Sequence, residues 1–201
     1  VDQYVWEHTC RRLQRWNAEG LYLPASVNVS RMDLQNGDLP EQFTALVEKY
    51  GLEPGQLRLE ITESAYTDRP EQLAAMVARL RAAGFTVEMD DFGTGYSSLN
   101  MLKDIRIDVL KLDMKFLSGG EEARGRQIVQ SVVDMAHRLD MRVIAEGVET
   151  VQQARELTAL GCDAMQGYYF SRPLPPEELE KILRTAGARS PQPVPAAMMP
   201  D

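Results

Sequence analysis

The chain alternates short apolar runs with longer stretches in which apolar residues recur every three or four positions. The short runs are rich in β-branched and aliphatic residues, and such runs predict β-strands. They occupy residues 25–29, 57–61, 85–89, 107–112, 142–145 and 165–170. Strands that alternate with helices at this spacing predict an α/β fold built on a parallel sheet.

Helical periodicity fills most of the segments between these runs. The clearest stripe predicts a helix that begins near Pro70 and ends at Gly84, and it consists of Leu73, Met76, Val77 and Leu80. Other helices are predicted at residues 40–50 and 176–186, along the stripe Ile128, Val132, Met135 and Leu139, and along Ala154, Leu157 and Leu160 behind an N-cap at Thr150.

Polar side chains stand at or near the carboxyl end of each predicted strand. They are Asn28, Glu60, Asp90 with Asp91, Lys111 with Asp113, Glu146, and Gln166. A doubly wound sheet gathers its site at one switch point, whereas all strand ends meet at one face of a β/α barrel. The distribution therefore favours a barrel, and a complete (β/α)8 barrel needs about two strands more than are visible.

Composition and charge exclude several functional classes. The net charge is −8 over 201 residues, which argues against a nucleic-acid-binding surface because that surface needs a basic face. No apolar run approaches the roughly 20 residues of a membrane span, so we expect no membrane contact from this segment. Cys10 and Cys162 lack metal-ligand spacing, and we interpret them as reduced, buried thiols of a cytoplasmic protein.

The adjacent Asp90 and Asp91 follow the apolar run 85–89 and precede a glycine-rich segment. Neighbouring residues inside a strand point to opposite faces, so two carboxylates share a site more easily beyond the strand end. Carboxylate oxygens are the ligands that Mg²⁺ prefers. One Asp would suffice to cap a helix that starts near Ser97, so metal binding is favoured, and residues 93–98 are interpreted as a mobile loop over the site.

Glu60 and Lys111 each leave two interpretations open. A glutamate in a β-rich run is costly to bury unpaired, so Glu60 needs either a structural partner, such as Arg58 or Lys111, or a metal ion. Lys111 could pair with the nearby Asp113, or it could be a cation that positions a water molecule or a phosphate oxygen.

The remaining candidates are weaker when they are taken one at a time. Glu146 at a strand end is difficult to explain structurally, whereas Glu149 could simply favour a helix N-terminus through the helix dipole. Gln166 could belong to an ordinary turn, and Asn28 is typical of a buried amide that needs a polar partner. Together the candidates supply several carboxylates, two amides and one lysine on one face, which are the groups that a two-metal phosphoryl-transfer site requires.

Six segments, in order along the chain, resemble the EAL domain family, which contains bacterial phosphodiesterases of cyclic di-GMP. They are residues 27–30, 59–63, 90–99, 110–113, 145–150 and 166–168, followed by 172–175. The resemblance implies a modified TIM-type (β/α)8 barrel that lacks about its first two strands here. It covers a domain at residues 1–186, and the proline-rich residues 187–201 are expected to form a disordered tail.

The resemblance implies that the domain hydrolyses cyclic di-GMP to linear pGpG and uses two Mg²⁺ or Mn²⁺ ions to do so. Asn28, Glu60 and Asp90 would ligate metal, and Asp90 would bridge to a second ion that Asp91 also holds. Gln166 would support the second metal or its waters.

Four further residues acquire roles from the same resemblance. Lys111 and Glu146 would position and activate the attacking water. Glu63 would hold the loop at residues 91–98, and Glu149 would belong with it to an outer ring of residues around the site.

The chain departs from the family at one motif. The family is named for a Glu-Ala-Leu sequence whose Glu is a metal ligand, and this sequence contains no such segment. We therefore expect either a truncated portion of a phosphodiesterase or a catalytically inactive module that binds cyclic di-GMP. Family members often dimerise through the barrel, and a GGDEF or sensory domain, or a membrane anchor, can precede it in the parent protein.

Overall fold

The computed structural model describes residues 1–66, 70–93, 98–113 and 122–185. Within them, six parallel strands form one sheet whose order follows the chain. The strands are β1 (Ala25–Asn28), β2 (Leu57–Thr62), β3 (Val87–Phe92), β4 (Val109–Asp113), β5 (Arg142–Glu146) and β6 (Ala164–Met165). A doubly wound sheet would reverse its order at a switch point, so the sequential order is that of a β/α barrel wall.

Helices occupy the connections between the strands and flank the sheet at both chain ends. They are α1 (Asp2–Ala18), α2 (Arg31–Leu34), α3 (Leu39–Lys49), α4 (Pro70–Ala82), α5 (Ser98–Asp104), α6 (Glu122–Arg138), α7 (Val151–Ala159) and α8 (Pro176–Thr185), with short 3₁₀ turns at Pro54–Gln56 and Glu63–Tyr66. The predicted N-cap of α7 is confirmed, because the Thr150 side chain accepts a hydrogen bond from the backbone of Gln153. The predicted tail at 187–201 and most of the predicted loop at 93–98 lie outside the described residues.

The two faces of the sheet differ sharply in polarity because side chains alternate along each strand. One face packs against the helices and is apolar, and its buried side chains include Val27, Leu59, Ile61, Val87, Met89, Leu110, Leu112, Val143 and Ala145. The opposite face, called the inner face here, carries Ser26, Asn28, Arg58, Glu60, Glu88, Asp90, Lys111 and Glu146. The hydrophobic core therefore anchors the sheet from one side and leaves the other side for polar chemistry.

Helix α1 packs against β1 and α3, and it receives the last helix, α8. Trp6 packs against Phe43 with ring centroids 4.5 Å apart and planes tilted by 44°, and its indole N–H donates to the carbonyl of Asn28 at 2.9 Å. The indole of Trp16 donates to Glu180 of α8 at 2.7 Å. These contacts tie α1 to the first strand and α8 to α1.

Two sequence predictions about elements are wrong in part. The predicted helix is present as α6, and Val132 and Met135 of its predicted stripe pack partly buried against the core. The fully buried positions are Val129, Val133 and Ala136, whereas Ile128 and Leu139 are exposed. Both sets repeat every three or four residues and lie side by side on the helix, so periodicity alone could not choose between them.

The other error concerns the sixth strand, which ends at Met165 and does not reach residue 170. The backbone of Val148 approaches so closely that a Cβ atom on Gly167 would lie 2.2 Å from its carbonyl oxygen. The chain turns there, and the aromatic residues 168–170 are exposed.

Both cysteines are free thiols; Cys10 is buried, as predicted, whereas Cys162 is only half-buried. Burial raises the pKa of Cys10 and of Cys162 to about 11, so neither thiol is a reactive nucleophile at neutral pH. No helix among the described residues is long and apolar enough to cross a membrane.

The burial of the apolar face predicts how much stability is lost when one of its side chains is truncated. Leu110 lies in the central strand β4 and is fully buried, so Leu110→Ala should lower the free energy of unfolding by about 2–5 kcal/mol. Urea denaturation monitored by circular dichroism measures this change. The matched control Leu139→Ala, at an exposed position, should change it by less than about 0.5 kcal/mol; equal losses in both variants would contradict the assigned packing.

Candidate active site

The ammonium group of Lys111 lies at the centre of a carboxylate cluster on the inner face. Its Nζ is 2.8 Å from Glu60 Oε1, 2.8 Å from Glu146 Oε1 and 3.3 Å from Asp90 Oδ1. The residue is only 5% exposed. Four predicted site residues, one from each of β2, β3, β4 and β5, are thus brought together; we call them the Lys111 group.

Strand register explains why these four side chains meet. Thr62 lies beside Asp90, Asp113 lies beside Glu146, and Lys111 lies beside Ile144. Residues two apart on a strand share a face, so all four members of the Lys111 group project from the inner face. The long lysine side chain spans the neighbouring strand and reaches Glu60 on β2. The alternative partner Asp113, considered from the sequence, is not the ion-pair partner that the structure gives to Lys111.

The electrostatics of the group favour a charged lysine. Burial alone would lower the pKa of Lys111, but its hydrogen bonds to Glu146 and Glu60 outweigh burial and raise the pKa. Burial raises the pKa of Glu146, Lys111 opposes that rise, and Asp90 adds to it. When all four groups are ionised, one ammonium faces three carboxylates, which leaves an excess of negative charge that attracts cations.

The prediction that Asp90 and Asp91 follow the end of a strand is wrong, because β3 continues to Phe92. The pairing of β3 with β4 shifts register between Met89 and Phe92, and Asp91 has a φ of +56°. Such a bulge re-aims the side chains around it. Asp90 therefore points to Lys111, while the backbone N–H of Asp91 donates to Asp90 Oδ1 at 3.0 Å.

Glu63 fixes the backbone just beyond this bulge. It follows β2 directly, and its carboxylate is buried. Its Oε2 accepts a hydrogen bond from the backbone N–H of Gly93 at 3.2 Å. A buried carboxylate thus holds the chain where it leaves β3.

The other three predicted residues lie around the rim of the inner face. Asn28 is beside Glu60 in the register of β1 and β2, but its side chain is exposed, so the prediction of a buried amide is wrong. The reason is that β1 is an edge of the described sheet. Gln166 is exposed at the end of β6, and the backbone of Glu149 donates to Gln153 Oε1 at the start of α7.

Sequence reasoning missed an ion pair one layer below the Lys111 group. Glu88 is 1% exposed, and its carboxylate accepts hydrogen bonds from Ser26 Oγ at 2.9 Å and from Arg58 Nη1 at 3.2 Å. Arg58 Nε is buried without a hydrogen-bond partner in the described part of the chain, and a buried unpaired donor costs about 1–3 kcal/mol. The sequence did contain a signal for this pair. Glu88 lies two residues before Asp90 and Arg58 two before Glu60, and residues two apart on a strand share a face.

The donors of the inner face suit a hard divalent cation in their chemistry. Carboxylate and amide oxygens are preferred by Mg²⁺ and Mn²⁺, and the Lys111 group carries excess negative charge. Within the described ranges, however, no three His, Cys, Asp or Glu side chains are arranged as a preformed metal cage. The carboxylates are held together by lysine instead.

The family model of the EAL domain matches residues 1–173. The chain belongs to the EAL domain family. A solved EAL domain, that of DcpA from Mycobacterium smegmatis, has a TM-score of 0.85 and 33% identity, and the match covers 95% of this chain and 86% of that one. The PaMucR phosphodiesterase, solved as a complex with c-di-GMP, has a TM-score of 0.80 and 33% identity over 88% of this chain and 72% of that one.

These EAL domain structures confirm the modified α/β barrel class, of which six parallel strands are described here. Among curated relatives, the cyclic di-GMP phosphodiesterase NbdA of Pseudomonas aeruginosa is 38% identical over 186 residues, which are 92% of this chain and 24% of NbdA. The chain spans between a fifth and a third of the length of the curated relatives that it matches.

The contact between Glu63 and Gly93 can be tested without any ligand. Glu63→Ala removes the acceptor, so the Gly93 amide should exchange its hydrogen at least about tenfold faster, as expected for loss of about 1.4 kcal/mol of protection. Hydrogen exchange followed by NMR measures this rate. Glu63→Gln keeps one acceptor oxygen and serves as the matched control; equal exchange in wild type and Glu63→Ala would contradict the assigned contact.

Proposed function

We propose that this EAL domain hydrolyses cyclic di-GMP to linear pGpG with two Mg²⁺ or Mn²⁺ ions. The observation that carries the proposal is the Lys111 group, which gathers a lysine and three carboxylates on the inner face. The phosphodiesterase names of NbdA and PaMucR support the same reaction.

The metal-holding roles are assigned to oxygen donors of the inner face and its rim. Glu60, Asp90 and Asn28 would hold one ion, and Asp90 with Asp91 would hold the second, with Gln166 supporting it or its waters. Bound metal would lower the pKa of water and clamp the attacking and leaving oxygens of an in-line displacement.

The remaining residues orient the water and receive its proton. Lys111 Nζ holds Glu146 at 2.8 Å, so the Glu146 carboxylate is fixed as a proton acceptor. The ammonium has three N–H donors and would donate to the water oxygen in place of one of its carboxylate partners. Glu63 keeps the chain beyond β3 in place through Gly93, and Glu149 belongs to the outer ring of the site.

The reaction opens the cyclic substrate at one phosphodiester. The water oxygen forms a bond to one phosphorus while the bond from that phosphorus to the 3′ oxygen breaks. The proton lost by the water passes to Glu146, and the 3′ oxygen leaves as a hydroxyl after taking a proton from solvent. Glu146 then gives its proton to solvent, so the carboxylate is regenerated. The product is a linear dinucleotide with a 5′ phosphate.

An alternative is a module that binds cyclic di-GMP without hydrolysing it. One observation favours it: among the described residues, Lys111 occupies the carboxylates of Glu60, Asp90 and Glu146 that would otherwise bind metal. Separation of nucleotides by chromatography after incubation with Mg²⁺ or Mn²⁺, combined with equilibrium binding, distinguishes the two. Metal-dependent formation of pGpG supports the phosphodiesterase, and saturable binding without product supports the alternative. If the chain neither binds the nucleotide nor forms product, both hypotheses are refuted.

The wider context remains part of the proposal. The domain would act in the cytoplasm, could form a homodimer, and would belong to a parent protein with a GGDEF or sensory domain. The relatives named as an oxygen sensor and as a bifunctional diguanylate cyclase/phosphodiesterase support such multidomain parents.

Substitution of Glu146 and Asp90 tests the assigned roles. Glu146→Gln keeps the shape of the side chain but removes the proton acceptor, so kcat should fall by about 10²–10⁴-fold. Asp90→Asn should also abolish most activity and should weaken Mn²⁺ binding in calorimetry, because one carboxylate is lost. The matched control Glu156→Gln, on α7, should retain activity; full activity in either site variant would refute the assignment.

A further inference from the structure

The inner face carries two layers of charge, and the lower layer is the pair of Arg58 and Glu88. These residues lie two positions before Glu60 and Asp90 on the same strands, and they therefore project from the same face. Glu88 is almost wholly buried, and its only charged contact described is Arg58 Nη1 at 3.2 Å. Ser26 adds a neutral hydrogen bond at 2.9 Å, which satisfies an oxygen but does not balance the charge.

The lower layer lies next to the upper one in the strand register. Glu60 and Glu88 are direct neighbours across β2 and β3. Like charges placed opposite each other on adjacent strands destabilise a sheet. The structure keeps both glutamates by giving each its own cation, Lys111 for Glu60 and Arg58 for Glu88.

Lys111 could reach Glu88 if that carboxylate lost its arginine. Glu88 pairs in register with Val109, which lies two residues before Lys111, or about 6.6 Å along the strand. The ammonium is on a flexible four-carbon chain, so a buried, unneutralised Glu88 would compete with Glu60, Asp90 and Glu146 for it. A buried unpaired carboxylate is far costlier than an exposed one, and this cost makes the competition effective.

We propose that Arg58 is a positioning residue: by neutralising Glu88, it reserves Lys111 for the three carboxylates of the upper layer. The catalytic consequence rests on the proposed phosphodiesterase function, whereas the positional consequence does not. Arg58 itself makes no contact with the Lys111 group in the described contacts. It acts through the charge of Glu88 and not on the reacting atoms.

The test compares Arg58→Met with the double variant Arg58→Met/Glu88→Met, in which both charges of the lower layer are absent. Arg58→Lys keeps the positive charge and serves as the conservative rescue. Arg81→Met is the matched control, because it removes an arginine from an ion pair of 2.9 Å with Asp108, near the amino ends of β3 and β4 and away from the inner face. Thermal denaturation of every variant identifies loss of folding.

The first readout is the position of Lys111 in crystal structures of the full chain. In Arg58→Met, Lys111 Nζ should lie within about 4 Å of a Glu88 oxygen, the usual ion-pair limit, and should have left at least one of its original partners. The double variant, Arg58→Lys and Arg81→Met should keep the original contacts. Unchanged Lys111 contacts in Arg58→Met would overturn the proposal.

The second readout is the split between kcat and KM with cyclic di-GMP. Arg58→Met should lower kcat by at least about tenfold with a smaller change in KM, as expected when a catalytic group is misplaced. Arg58→Lys and the double variant should recover kcat to within about threefold of wild type. A double variant as defective as the single one would overturn the proposal. If the wild type does not hydrolyse the nucleotide, the proposed function fails, and the position of Lys111 decides the inference alone.

If Arg58→Met does not fold, the double variant and Arg58→Glu/Glu88→Arg take its place. Exchange of the two charges retains neutrality, so Lys111 should keep its contacts there. Movement of Lys111 in the folded exchange variant would contradict the claim that neutralisation of Glu88 is what Arg58 supplies.

Discussion

A single buried ammonium group organises the inner face of this sheet. Lys111 contacts carboxylates from three other strands at 2.8–3.3 Å, and without it three acidic side chains would repel one another in a largely desolvated space. Removal of one partner from a buried ionic group is strongly destabilising. The same contacts that stabilise the face also determine where Glu60, Asp90 and Glu146 stand, so stability and the proposed chemistry depend on one interaction.

The opposite ends of the strands are fixed by a different and repeated device. Asp108, before β4, accepts a hydrogen bond from the backbone of Val87 at 2.9 Å and pairs with Arg81 of α4. Asp163, before β6, does the same with the backbone of Val143 at 2.7 Å and pairs with His137 of α6. In β/α barrels the amino ends of strands serve stability and the carboxyl ends serve function. The chain follows this division, which leaves the carboxyl ends for the Lys111 group.

The sequence was sufficient for the α/β class and for most elements, because strand alternation and helix stripes are local patterns. Glu60, Asp90, Lys111 and Glu146 could be brought together because each lies at or near the carboxyl end of a predicted strand, and these ends meet at one face of a barrel. The core-facing stripe of α6 could not be chosen, since two adjacent stripes are both apolar.

Three other features depend on contacts between distant segments. The bulge at Asp91 arises from pairing with β4, and the early end of β6 arises from the approach of Val148 to Gly167. The pairing of Arg58 with Glu88 joins two neighbouring strands through a diagonal contact. Their spacing from Glu60 and Asp90 predicts a shared face but not that the two side chains touch. The metal-binding and catalytic roles of the site residues remain predictions.

We propose that the carboxylates gathered by Lys111 form a metal-dependent phosphodiesterase site. The most direct measurement is a crystal structure of the chain with Mn²⁺ and cyclic di-GMP, in which anomalous scattering locates the metal. We expect Mn²⁺ bound directly to oxygens of Glu60 and Asp90, with a phosphate of the nucleotide beside it. Bound nucleotide with no Mn²⁺ on either carboxylate, and with Lys111 unmoved, would refute a metal site at these residues.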